Sequence, residues 1–214
     1  MKTVHKSKKV EPKKVVVYKS QGETIKDTFI KRCGIIPYTC INGILYFLLG
    51  HDFRTNELTD FGGGAQKDET APITAFREFK EETLDIFELT SHTALNKTMV
   101  VYNEMMAIYF LPVDDCWYDI AQYEFAQNYK NNRIDHEISS IEWIQEYELR
   151  YFLESHNTKF WIKVQTFLNQ TVTRDFMNKL RTLYNEEYPD YDYKAIISRI
   201  PQNESNNYAI VCNK

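Results

Sequence analysis

Gly63, Glu69, Arg77, Glu78, Phe79, Glu81 and Glu82 stand within twenty residues of one another, and their spacing constrains the fold more than any other feature of the chain. The β-prone run Leu58-Thr59-Asp60-Phe61 leads directly into Gly62-Gly63-Gly64, so a strand gives way to a segment with no side-chain bulk. Thr70 then offers an N-cap, and Pro72 falls in a first helical turn, where its missing N–H is harmless. On the helix that follows, Ile73, Phe76, Phe79 and Thr83 form the stripe expected to face a core. Glu78, Glu81 and Glu82 lie beside that stripe within an arc of roughly 100°. At about 6 Å and an effective dielectric near 20, each pair of like charges costs on the order of 3 kcal/mol before screening. A ridge of this kind is either a solvated helix face or a place where charge is neutralised by something bound. Hard divalent cations suit it, because they take oxygen ligands and bridge carboxylates to phosphates.

The segment from Gly62 to Leu84 resembles the Nudix box, the signature of the Nudix hydrolase superfamily. That pattern places a glutamate six residues after a glycine and Arg-Glu-apolar-x-Glu-Glu eight residues after that glutamate. Gly63, Glu69, Arg77, Glu78, Phe79, Glu81 and Glu82 match it in register. The resemblance covers about a tenth of the chain. It implies an α+β fold, a Nudix-like α/β/α sandwich with a mixed sheet, and Mg²⁺ as cofactor, with Mn²⁺ as a substitute. It implies Glu78 and Glu82 as metal ligands, with Glu81 as a third ligand or outer partner and the backbone carbonyl of Gly62 completing the site. Arg77 and Glu69 become an orienting pair that holds the loop against the helix. For the general base or an extra ligand, Glu137 stands where many members carry an acid, with Glu142 and Glu104 as weaker alternatives. The other reading of Glu137 is a solvated acid at a strand start.

The chain departs from the pattern after the last glutamate, where the family has a glycine and then an apolar residue. Here Leu84 and Asp85 occupy those positions. A glycine there is a helix C-cap with positive φ, a conformation that leucine adopts only at a cost. The helix is therefore expected to run on for part of a turn, towards Phe87, or to end in a different loop.

Elsewhere, Cys33–Ile41 and Ile44–Gly50 flank Asn42-Gly43, a strong hairpin signal. Strands are expected at Val15–Tyr18, Lys97–Asn103, Met105–Pro112 and Glu137–Ile144, and helices at Thr158–Leu168 and Thr173–Tyr184. The polar, aromatic-rich segment 114–133 is expected to hold a short helix. Its residues Trp117, Tyr118, Tyr123, Phe125 and Tyr129 read as core or lid before they read as a base-stacking platform. This divides the chain into a basic, flexible N-terminal arm at 1–27, a Nudix domain at 28–170 and a C-terminal helical extension and tail at 171–214.

No apolar run is long enough to cross a bilayer, and the N-terminus lacks the apolar core of a signal peptide. Cys33, Cys40, Cys116 and Cys212 include no C-x-x-C pair, which speaks against a zinc site or a disulfide framework. A cytoplasmic, intracellular protein with no membrane partner is the expectation. The first 40 residues carry ten Lys/Arg against three Asp/Glu, whereas the remainder carries 16 against 27. A basic arm on an acidic body can reach phosphates, or it can be a solubilising tail.

The function that follows from the resemblance is Mg²⁺-dependent hydrolysis of a diphosphate bridge in a nucleoside diphosphate linked to another group. A nucleotide or polyphosphate is the implied substrate, with capped RNA among the candidates beside nucleotide sugars, dinucleoside polyphosphates, ADP-ribose-like compounds and diphosphoinositol polyphosphates. Isomerisation of an isoprenoid diphosphate and a non-catalytic nucleotide-binding or interaction module are the alternatives. Many family members pair as homodimers, and the sequence leaves that state open.

Overall fold

In the computed structural model the described residues are 16–19, 30–131, 136–155 and 159–188. The expectations for residues 1–13, for Asn132 and Arg133, for Cys212 and for the tail from Asn203 lie outside them. The described residues form an α+β structure in which an eight-stranded mixed sheet lies between two layers of helices.

The centre of the sheet is β2 (Arg32–Ile41), which runs parallel to β7 (Met106–Pro112) on one side. Its other side is shared: its second half pairs with β3 (Ile44–Asp52) and its first half with β5 (Phe61–Gly64). The β2–β3 turn is the Asn-Gly hairpin, with φ of 52° at Asn42 and 79° at Gly43, the positive pair a type I′ turn requires. β1 (Val16–Lys19) adds to β6 (Met99–Tyr102), which pairs with β7. β4 (Leu58–Thr59) and β8 (Ile138–Gln145) both pair with β3.

Because both faces are covered, the central strands read as continuous apolar runs, and successive side chains go to different cores. Cys33 and Ile35 of β2 join one core with Ala71, Ala75 and Phe79 of α1 (Ala71–Glu82) and with Ala121 and Phe125 of α2 (Cys116–Asn131). Ile36 and Tyr38 join the other core, beneath α3 (Glu146–Glu154), α4 (Ile162–Asn169) and α5 (Arg174–Glu187).

Several expectations are corrected here. The buried residues of α1 are Ala71, Pro72, Thr74, Ala75 and Phe79, with Thr83 at its end, whereas Ile73 is 37% exposed and Phe76 is only half-buried. The small residues go inward because the helix lies close to β2 and β5, and Phe79 fills the remaining space against Phe61 and Phe87, at ring-centroid distances of 5.8 and 5.3 Å. The helix does not run on past Glu82. Asp85 N–H donates to the Lys80 carbonyl and Leu84 N–H to the Glu81 carbonyl, the double closure of a Schellman cap. Leu84 adopts it with φ of 56° although it is not glycine. Segment 114–133 holds a 16-residue helix, not a short one. Helix α3 follows directly from β8, its start marked by Gln145 N–H donating to the Glu148 carboxylate at 3.1 Å.

Helix α5 falls in the segment expected as a C-terminal extension, yet it forms part of the sandwich. Phe176, Met177, Leu180, Leu183 and Tyr184 are buried in the second core. The Tyr38 hydroxyl donates to the Leu180 carbonyl at 3.2 Å, and the hydroxyls of Thr39 and Tyr184 meet at 3.0 Å. Among the described residues no helix is long and apolar enough to cross a membrane.

Candidate active site

The three glycines after Phe61 form the end of β5, and helix α1 lies directly against them. Gly63 is the closest point of contact: a Cβ there would come within 2.4–2.5 Å of the Glu78 carboxylate. Gly62 faces Gly34 of β2 across the ladder, and a side chain on either would also strike the Asp60 carboxylate, within 2.0 Å from Gly34 and 2.9 Å from Gly62. The missing side chains are therefore what lets two carboxylates, Glu78 and Asp60, lie against the strand.

Arg77 organises the loop. Its Nε and Nη2 donate to the two carboxylate oxygens of Glu69 at 2.8 and 3.1 Å, a bidentate pair, and Nη2 also donates to the Gly64 carbonyl at 3.0 Å. Glu69 further accepts from Gln66 N–H and from the Thr74 hydroxyl. This fixes the β5–α1 loop at both ends. The hydrogen bond from Arg77 holds the Glu69 carboxyl down at about 2, helped by the Gln66 and Thr74 donors. The same carboxylate raises the pKa of Arg77.

The ridge carboxylates differ in environment. Glu78 is 13% exposed, and Arg77 Nη1 donates to it at 2.7 Å. Burial nevertheless raises its pKa, and the charges of Glu81 and Glu137 add to the rise against the pull of Arg77. Glu81 is 60% exposed and accepts from the same Nη1 at 3.2 Å. Glu82 accepts from Gly62 N–H at 2.6 Å. Burial and the neighbouring Asp60 push its carboxyl well above the usual range, and Arg32 and the Gly62 N–H only partly oppose them. Among the described residues no three of His, Cys, Asp and Glu are gathered tightly enough to hold an ion as they stand, since Arg77 forks between Glu78 and Glu81 and Glu82 turns to the backbone.

Arg32 and Asp60 escaped the sequence reading. Asp60 is fully buried, and Arg32 Nη1 donates to it at 2.8 Å while Nη2 donates to the Gly62 carbonyl at 2.8 Å. That carbonyl, expected to face a cation, is thus bonded to a guanidinium. The signal that could have found Asp60 is its place two residues before the glycines, in the β-prone run Leu58–Phe61; nothing local marks Arg32.

The remaining candidates are placed as follows. Glu137 is exposed just before β8, and its charge contributes to the raised pKa of Glu78. Glu142 pairs with His51 Nε2 at 3.0 Å, and Glu104 is exposed in the β6–β7 turn. Of the aromatic residues in α2, Phe125 is buried, Trp117 packs on Phe87, Tyr118 on Tyr46 and Tyr129 on His136, whereas Tyr123 is exposed.

No family model and no curated protein matches the chain. Among solved structures it is similar to an Ap4A hydrolase of C. elegans, with 18% identity and a TM-score of 0.37 over 71% of this chain and 98% of that one. It is also similar to the pyrophosphohydrolase BsRppH of Bacillus subtilis, with 18% identity and a TM-score of 0.39 over 78% and 89% of the two chains. A Listeria monocytogenes protein assigned as a NUDIX hydrolase gives 14% identity and a TM-score of 0.36 over 68% and 96%. At these scores the functional reading rests on the motif and the geometry described above, not on the likeness.

Proposed function

We propose that the chain is a pyrophosphohydrolase of the Nudix type, acting on a diphosphate bridge in a nucleotide derivative. The observation that carries this is the fit of Glu78 into the space left by Gly63. Strand glycine and helix glutamate are built for each other, which a merely solvated acidic face does not require.

Divalent cations fit the donor set. The oxygens are hard, and burial and crowding already raise the pKa of both Glu78 and Glu82, the mark of negative charge with too little compensation. Glu78 and Glu82 are the residues that would hold Mg²⁺ or Mn²⁺, with Glu81 at the exposed end of the ridge; the Gly62 carbonyl is engaged by Arg32 and is not among them. Held by these carboxylates, such a cation would supply charge neutralisation for phosphate oxygens and a lowered pKa for a water.

The protein's own part is positional. The Arg77–Glu69 clamp fixes the loop between β5 and α1, and with it the start of the ridge. Arg32 holds Asp60 and the Gly62 carbonyl, and its charge offsets part of the field at Glu82. Water attacks one phosphorus, the bridging P–O bond breaks, and the second phosphate leaves with the electron pair. Glu137 takes the proton of the attacking water or contributes a further oxygen to the site.

One observation favours a binding-only module instead: Arg77 engages both Glu78 and Glu81. Purified protein incubated with Mg²⁺ and a panel of diphosphate-bridged nucleotides, capped RNA included, separates the two. Metal-dependent product formation that drops about 10²-fold or more in Glu82→Gln is the expected result. Glutamine keeps an acceptor for Gly62 N–H, so the loop is preserved, and near-normal turnover in that variant would refute the assignment.

A further inference from the structure

Asp60, between β4 and β5, is fully buried, and both of its carboxylate oxygens are engaged. Oδ2 accepts from Arg32 Nη1 at 2.8 Å and Oδ1 from the Thr59 hydroxyl at 3.2 Å. Arg32 Nη2 takes the Gly62 carbonyl at 2.8 Å, and the charge of Glu82 also acts on the guanidinium. A buried carboxylate, a backbone carbonyl and a neighbouring glutamate are oxygens of the kind that a hard divalent cation collects. Here a guanidinium collects them.

Arg32 is fixed in that place from its other face. Its guanidinium lies 4.9 Å from the centre of the Trp161 ring, and the backbone N–H of Trp161 donates to the Leu58 carbonyl at 2.9 Å. A planar, permanently charged and weakly hydrated fork can lie on an indole and bond two oxygens at once, which an ammonium group cannot. The Arg32 side chain is 15% exposed, and with Trp161 it lines a cavity of about 640 Å³. Shortening it would therefore open Asp60 to solvent through that cavity.

The charges divide in a way that suits this. Asp60 and Glu82 set against Arg32 leave a single negative charge, too little for a divalent cation of their own. Glu69, Glu78 and Glu81 set against Arg77 leave a pair of negative charges, which one divalent cation matches.

We propose that Arg32 is a resident cation of the site: it occupies the oxygens of Asp60 and Gly62, closes them to metal, and leaves the divalent cation to Glu78 and Glu82. Only the last part rests on the pyrophosphohydrolase reading; the closure of Asp60 does not. The arrangement also departs from the pattern in which the Gly62 carbonyl completes the metal site. Part of the buried charge is neutralised before any metal arrives, so the glycine strand and Glu82 keep their places in the metal-free protein.

The test is a Mn²⁺ titration of the full chain followed by the paramagnetic resonance of the free ion, which counts bound metal independently of turnover. Asp60→Asn keeps the side chain's shape and an acceptor for Arg32, and is expected to bind as many Mn²⁺ as the parent. Arg32→Ala is expected to bind an additional Mn²⁺ and to lose it again when combined with Asp60→Asn. Arg32→Lys, which keeps the charge, is expected to bind no more than the parent. Where Arg32→Ala unfolds without metal, added Mn²⁺ is expected to restore its cooperative melt. Loss of an ion in Asp60→Asn would make Asp60 a ligand and overturn the proposal. So would a parent-like count in Arg32→Ala, an additional ion in Arg32→Lys or in the double variant, or an Arg32→Ala chain that Mn²⁺ does not refold. A parent that binds no Mn²⁺, beside an Arg32→Ala variant that binds it through Asp60, sinks the reading of the ridge and leaves the role of Arg32 standing. Mn²⁺-dependent hydrolysis by the parent, with loss of an ion in Asp60→Asn, does the reverse.

Discussion

Replacing Gly63 with alanine separates a built site from an accidental run of acids. The added methyl would lie 2.4 Å from the Glu78 carboxyl carbon, and an ordinary contact begins at 3.4 Å, so the carboxylate must retreat by about 1 Å. It can, because it is the far end of a flexible side chain, but the move draws it off Arg77 Nη1, now at 2.7 Å. A misplacement of about 1 Å in a reacting constellation costs on the order of 10²-fold in rate. The effect on stability is small. Gly63 does not need positive φ, so alanine gains about 0.4–1 kcal/mol from the unfolded chain. The weakened Glu78–Arg77 hydrogen bond returns about 0.5–1.5 kcal/mol. The two nearly cancel, leaving a melting shift of no more than about 2–4 °C. Steady-state hydrolysis with Mg²⁺, run beside a thermal melt, measures both quantities. Full turnover in Gly63→Ala would show that the position of Glu78 does not matter, and the functional reading would lose its main support. A melt lowered by much more than this would mean that the strand, and not the carboxylate, had been disturbed.

Glu69→Gln tests the loop clamp through pH. The Glu69 pKa is lowered in the fold to about 2 by its bonds to Arg77, Gln66 and Thr74, so its stabilising effect is complete above the ordinary carboxylate value and fades as pH falls towards about 2. The variant should unfold at lower urea than the parent at pH 7 and approach it by pH 3; a pH-independent gap would contradict the ion pair. At Leu84, φ of 56° inverts the usual helix-end ranking of small residues, so Leu84→Gly should be more stable than Leu84→Ala by about 1 kcal/mol in denaturant titration, and the opposite order would rule out the left-handed cap. Deleting residues 1–13, a lysine-rich segment, should raise KM for an RNA substrate and flatten its salt dependence. Unchanged salt sensitivity would make it a passive tail.

The elements with a local signature were legible before the fold was known. Asn42-Gly43 specified its hairpin because two consecutive positive φ angles suit few other residues. Thr70 and Pro72 marked the start of α1, and the offsets from Gly63 to Glu82 marked which residues would share one ridge. What failed locally was decided by neighbours. Ile73 looks like core by periodicity, but the close approach of α1 to β2 and β5 gives the inward positions to Ala71 and Ala75. Leu84 looks like a reason to continue the helix, but packing against Phe79, Phe87 and their cluster turns the chain there in spite of its backbone preference.

By itself, then, the order of residues determined the ridge, because Glu78, Glu81 and Glu82 lie on one helix at offsets that share a face, while the pairing of Arg77 with Glu69 was implied by the resemblance to the Nudix box. Only the folded sheet decided that Arg32 and Asp60 belong to the same place, that Gly62's carbonyl is bonded to a guanidinium, and that Trp161 walls a cavity beside it. Those residues are separated by up to 129 positions in the chain. Sheet pairing and burial bring them together, and neither carries a mark in the sequence around them.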